Sequence, residues 1–169
     1  MEKFMKPGVG GIIEKDIRGV PCILVQERCK EDAPSETGLL EIPAGKIREF
    51  ENIYDCLRRE IEEETGLEVV RIQGEEDAVI FEGRDYRVLS YEPFSSSQNT
   101  RGNYPIMVQV FICSVQGALA KSTNETRHLR WLDLEALEKL LEESPQSFYP
   151  MHVNTLKKYL KYRRGKGTV

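Results

Sequence analysis

The chain has 169 residues, 40% of them apolar and 31% charged, a size and balance that suit one globular domain spanning 1–169 with its own core. No apolar run approaches the roughly 20 residues needed to cross a bilayer and the first residues, MEKFMKPGVGG, lack the apolar stretch of a secretory leader, so we expect a cytoplasmic protein with no membrane partner. A net charge of -4 with a pI near 5.4 argues against a general nucleic-acid binder.

Residues 8–28, GVGGIIEKDIRGVPCILVQER, predict two strands around a turn at Asp16 to Gly19, because β-branched and apolar residues flank a polar break that contains glycine. Residues 29–38 are polar and carry Pro34 and Gly38, which predicts a loop, and LLEIP then leads to a turn at Ala44-Gly45. The stretch GKIREFENIYDCLRREIEEETGL, residues 45–67, predicts a helix that stops at Gly66, a residue suited to the left-handed position beyond a helix end. Leu67 to Ile72, Ala78 to Glu82 and Tyr86 to Tyr91 are expected strands, and IMVQVFICSV at 106–115 is the clearest buried strand. SSSQNTRGN at 95–103 predicts a loop long enough to contact a ligand. A helix over DLEALEKLLEE, capped by Asp133, and a last helix from about Pro150 complete a mixed α/β order. The last helix and its tail carry Lys157, Lys158, Lys161, Arg163, Arg164 and Lys166, a basic run that reads as a solvated face. Cys22, Cys29, Cys56 and Cys113 form no CxxC pair, and buried free thiols are expected.

The segment 53–65 holds the chemistry. At about 100° per residue, with Ile53 at zero, Cys56, Leu57 and Ile61 define one apolar arc, and Glu60 at about 340° and Glu64 at about 20° fall inside it. Glu63 lies on its rim and Glu62 points to solvent. A carboxylate turned toward a core costs several kcal/mol unless a cation or donors compensate it. Arg59 can pair with one carboxylate, but one guanidinium cannot balance three. Hard oxygen ligands at this spacing suit Mg²⁺ or Mn²⁺, which bind through carboxylates and substrate phosphates, and the negative end of the helix dipole adds to the attraction. Gly45 allows close approach of the backbone to the cluster.

This stretch resembles the Nudix box, GX5EX7REUXEEXGU with U aliphatic: Gly45, Glu51, Arg59, Glu60, Ile61, Glu63, Glu64, Gly66 and Leu67 occupy every specified position. The resemblance implies an α/β/α sandwich with a mixed sheet and a hydrolase that cleaves a pyrophosphate linkage in a nucleoside diphosphate derivative. It also implies that Glu60, Glu63 and Glu64 hold the metals, assisted by the main-chain carbonyl of Ala44, that Arg59 orients a carboxylate, and that Glu51 organises the start of the helix. For the base that activates water, the candidates are a box glutamate and Glu125, from a later loop as in related hydrolases acting on ADP-ribose.

LLEIPAGKI looks like the lead-in of the ADP-ribose pyrophosphatase subgroup, which points to a nucleoside diphosphate sugar. The other substrates in view are nucleoside triphosphates and dinucleoside polyphosphates, and a non-catalytic nucleotide sensor is the alternative of another class. Phe94 and Tyr104 are candidates to stack on a base and Arg101 to pair with a phosphate. His128 and His152, the two histidines, are expected to pack or to lie at the surface. A homodimer is a further expectation from the resemblance.

Overall fold

The structure, a computed structural model, describes residues 1–31, 33–121 and 126–166. Strand β1 (Lys6–Ile17) turns into β2 (Val20–Arg28) through Arg18 and Gly19, whose φ angles of 55° and 83° supply the twist that matches paired strands, and Asp16 accepts the Gly19 N–H at 2.7 Å. The two strands pair from Glu14 to Ile23 and then diverge. The fork is filled by β3 (Leu40–Glu41), which pairs with β2, and β4 (Ala44–Lys46), which pairs with β1. The Ala44-Gly45 turn expected from the sequence is therefore a strand: Gly10 opposes Ala44 and Val9 opposes Gly45, and these local ladder bonds outweigh the turn preference of a Pro-Ala-Gly run.

Helix α1 (Ile53–Thr65) begins where the Asn52 side chain accepts the Tyr54 N–H and ends at Gly66, in the left-handed region with φ 74°. After it come β5 (Glu68–Ile72), the separate hairpin β6 (Val79–Glu82) and β7 (Arg87–Ser90), then β8 (Ser95–Gln98), β9 (Ile106–Gln116), β10 (Thr126–Asp133), α2 (Leu134–Glu143) and α3 (Pro150–Lys166). The expected loop at 95–103 is thus half strand. Ser95 to Gln98 pair with β9, and the hydroxyls of Ser95 and Ser97 reach Thr155 of α3 at 2.9 and 3.3 Å, so a loop-like composition is satisfied by a helix instead of by water.

The main sheet runs β10-β2-β1-β9-β5, with β1 and β9 parallel and the other pairs antiparallel. Alternation along β1 divides the core into two layers. Val9 and Ile13 pack with Ile53, Leu57 and Ile61 of α1, while Ile12 packs with Leu137 of α2 and Leu156 and Tyr159 of α3. Each fully buried aliphatic side chain contributes about 1.5–3 kcal/mol, which is why the stripe of α1 fixes its rotation on the sheet. Gly11 permits that docking, since a Cβ there would lie 3.0 Å from Ile61. The result is the expected α/β/α sandwich with a mixed sheet, and no helix among the described residues is long and apolar enough to cross a membrane.

Candidate active site

The rotation of α1 decides which acids face inward. Glu64 is only 4% exposed, Glu60 is partly buried, and Glu62 and Glu63 are exposed, the order that the helical wheel predicts. Two clusters, each built around one arginine, flank these glutamates.

The outer cluster centres on Arg59. Its Nε and Nη2 donate to the two oxygens of Glu51 at 2.8 and 3.0 Å, and its Nη1 donates to Glu60 at 2.5 Å and Glu63 at 3.3 Å. One guanidinium therefore serves three carboxylates, where the sequence reading assigns it one. Hydrogen bonding from Arg59, with the Arg48 N–H also donating, holds the Glu51 carboxyl down to about 2. Glu51 thereby joins the start of α1 to its penultimate turn. Gly45 closes the cluster from the strand side: a Cβ there would sit 1.8 Å from the carboxylate carbon of Glu60, so only glycine leaves room for that side chain.

The inner cluster centres on Arg28, and the sequence reading missed it. Arg28 donates to Glu36 at 2.6 Å and to Glu41 at 2.9 Å, with its guanidinium 4.1 Å from the ring centre of Tyr149. Gln26, fully buried, donates through Nε2 to Glu64 at 2.9 Å and more weakly to Glu41 at 3.4 Å. The Ala44 N–H also donates to Glu64, at 3.0 Å. Burial first, and the charge of Glu41 second, push the Glu64 carboxyl up to about 8. The one signal for this cluster in the sequence is the pair Gln26 and Arg28, polar residues closing an otherwise apolar strand.

Among the described residues, no three acidic, histidine or cysteine side chains already stand together as a cation cage, because Glu60 and Glu63 are turned onto Arg59 and Glu64 onto Gln26 and Ala44. The donor set nevertheless fits a hard divalent ion: carboxyl oxygens grouped at one helix end, one of them buried, with a glycine cradle beneath Glu60.

Of the residues expected to touch substrate, Tyr104 lines a cavity beside Ala44, Gly45 and Lys46, with the Lys46 Nζ 5.6 Å from its ring centre. Phe94 instead packs on α3, edge-on to Tyr159 and Tyr162. Arg101 is exposed in the turn between β8 and β9, where its N–H donates to Asn99. Glu125 lies outside the described residues. The two histidines take the packing and surface roles expected of them: His152 is buried and also forms a wall of the Tyr104 cavity, and His128 is exposed and bonded to Glu27 at 2.6 Å.

A family model of the NUDIX domain matches residues 5–152. Over 61 residues the chain is 44% identical to Nudix hydrolase 8 of Arabidopsis thaliana; that match covers 36% of this chain and 15% of the plant protein, so the chain spans a small part of its relative's length. The fold is similar to the NUDIX domain of Shewanella oneidensis NrtR solved with ADP ribose (TM-score 0.66, 13% identity, 95% of this chain and 90% of that one). It is also similar to a C. elegans Ap4A hydrolase solved as a binary complex (TM-score 0.58, 14% identity, 95% and 98%). At those identities the two structures speak for the fold.

Proposed function

The chain belongs to the NUDIX family, and from that premise we propose that it is a metal-dependent pyrophosphatase acting on a nucleoside diphosphate joined to another group, an ADP-ribose-like sugar first among them. The observation that carries this reading is Glu64, a carboxyl group buried inside the apolar stripe of α1, where the Gln26 side chain and the Ala44 N–H hold it in place beside the box acids. Glu60, Glu63 and Glu64, with the Ala44 carbonyl, would hold Mg²⁺ or Mn²⁺. When bound, the ion neutralises phosphate oxygens and lowers the pKa of a water for attack on phosphorus. Arg59 keeps Glu60 and Glu63 on the outer side of the site, and Gln26 aims Glu64 from within. Glu63 or Glu125 takes the proton of the attacking water.

The ADP-ribose preference is supported by the LLEIPAG lead-in and by the fold shared with a NUDIX domain that holds that ligand. A panel of ADP-ribose, a nucleoside triphosphate and a dinucleoside tetraphosphate, each with Mg²⁺ and with Mn²⁺, tests it. Fastest turnover of ADP-ribose is expected. A faster rate on either of the others moves the substrate, and binding without turnover of any of them makes the domain a sensor.

Self-association belongs to the same proposal. The outer face of the β6–β7 hairpin presents Val79, Phe81 and Val88 at 64, 67 and 44% exposure, and a second copy offers a matching apolar face and matching unpaired strand edges. Light scattering that returns the monomer mass would remove the homodimer.

A further inference from the structure

A cavity opens between the β1–β2 fork and the start of α3, walled by Arg28, Ala44, Tyr104, Ile106, Tyr149 and His152. His152 is 1% exposed and stands edge-on to Tyr149, with ring centres 5.3 Å apart. Its Nδ1 faces the Ile42 N–H at 3.3 Å and accepts from it, which leaves the ring proton on Nε2. Nε2 has no hydrogen-bond partner among the described residues. A buried N–H in that condition costs about 1–3 kcal/mol, so a persistent one calls for an acceptor from outside the chain. Burial, reinforced by the positive charges of Arg28 and Lys30, pushes the ring's pKa down to about 3 and keeps it neutral.

We propose that His152 Nε2–H is a specificity-determining donor, and that it reads a ring nitrogen or carbonyl on the nucleobase of a nucleotide whose phosphates reach the box glutamates. The walls favour a planar ring. Arg28 lies against Tyr149, Tyr104 adds a second aromatic surface, and Ile106 is apolar. A neutral imidazole offers one directed hydrogen bond and no charge, which suits an uncharged acceptor better than a phosphate. The cavity also touches Ala44 and Gly45, the strand that meets Glu64 and Glu60, so a base held here leaves its phosphates at the acidic helix end. The inference rests on the hydrolase reading for what the phosphates do there, but not for the hydrogen bond itself.

Because the chain has two histidines, ¹⁵N-labelled imidazole signals resolve the question, with exposed His128 as the bystander. In Mg²⁺ buffer the intact protein is titrated with AMP, GMP, CMP and UMP, and with ribose 5-phosphate as the probe that lacks a base. At least one nucleotide is expected to shift the His152 Nε2–H resonance and slow its exchange with water, while ribose 5-phosphate leaves it in place. The dissociation constant of the best nucleotide should rise roughly 10- to 100-fold in His152→Leu and recover in part in His152→Gln. A His152 signal that stays still with all four nucleotides overturns the inference, as does an equal response to ribose 5-phosphate. Pyrophosphate hydrolysis with a silent His152 sinks this inference alone. A responsive His152 with no hydrolysis of any panel member sinks the hydrolase reading alone.

Discussion

Two arginines hold glutamates on opposite sides of the end of α1, and they sit at different depths. Arg28 is 8% exposed and bridges Glu36 to the buried Glu41 while lying on Tyr149. Arg59, with a fifth of its side chain exposed, spans Glu51, Glu60 and Glu63. In the inner cluster Arg28 and Glu41 are both desolvated, so removing either leaves a buried charge uncompensated. In the outer cluster solvent can take over. Depth therefore divides labour: the inner arginine fixes the wall that aims Glu64, and the outer arginine holds two glutamates that remain free to exchange one cation for another.

The strongest challenge to that division is Glu64→Gln. It removes the one carboxylate that belongs to the proposed metal set and also adjoins the inner cluster. Turnover in Mg²⁺ should fall about 1,000-fold or more if Glu64 is a ligand. The urea midpoint should hold or rise, because the amide oxygen can still accept from Gln26 and Ala44 and an amide never carries a charge to be buried. Comparable turnover would remove Glu64 from the metal set.

Next in size is the pair of arginine replacements. Arg28→Met strands Glu41, whose carboxyl burial already pushes up, and should cost about 3–5 kcal/mol in denaturant unfolding. Arg59→Met should cost about 1 kcal/mol, yet lower kcat by a larger factor than Arg28→Met does when both are assayed well below their unfolding midpoints. Equal stability losses would mean that depth does not separate the clusters.

Gly45→Ala sharpens the same contrast within one residue. The methyl would strike the end of a flexible side chain, Glu60, so the fold should lose less than about 1 kcal/mol. Displacing Glu60 should nevertheless lower kcat roughly 10- to 100-fold if Glu60 is a ligand as proposed, because a ligand moved by an ångström no longer meets its ion. Thermal melts and initial rates on one preparation test both halves.

The outer cluster was legible in the sequence because Arg59, Glu60 and Glu63 lie on one helix, where periodicity alone fixes who faces whom. The inner one was not. Gln26 and Arg28 meet Glu41 only when β2 pairs with β3, and His152 arrives only when α3 docks, so no local pattern links them. The same locality limit explains β8: a run of serines has the composition of a loop, and its strand character comes from β9 and Thr155. The sandwich itself could be anticipated, since long apolar strands and amphipathic helices carry their periods in the chain.

The smallest effect separates the two buried groups by pH. His152 has its pKa pushed down to about 3 from 6.5, so between those values the unfolded chain binds more protons and stability falls as pH falls, by up to about 1.4 kcal/mol per unit. Glu64 acts in the opposite sense. Its carboxyl is raised to about 8 from 4.5, the fold holds the extra proton in that window, and stability falls as pH rises through it. The two slopes oppose each other between about pH 4.5 and 6.5, which makes the wild-type profile misleadingly flat. His152→Gln removes only the first slope and keeps an acceptor for the Ile42 N–H. Between about pH 7 and 5.5 the variant should therefore gain about 1 kcal/mol on the wild type, read from urea midpoints. Parallel profiles would mean that the folded protein charges His152 as readily as the unfolded chain does, and a donor kept neutral for a base would no longer follow from its burial.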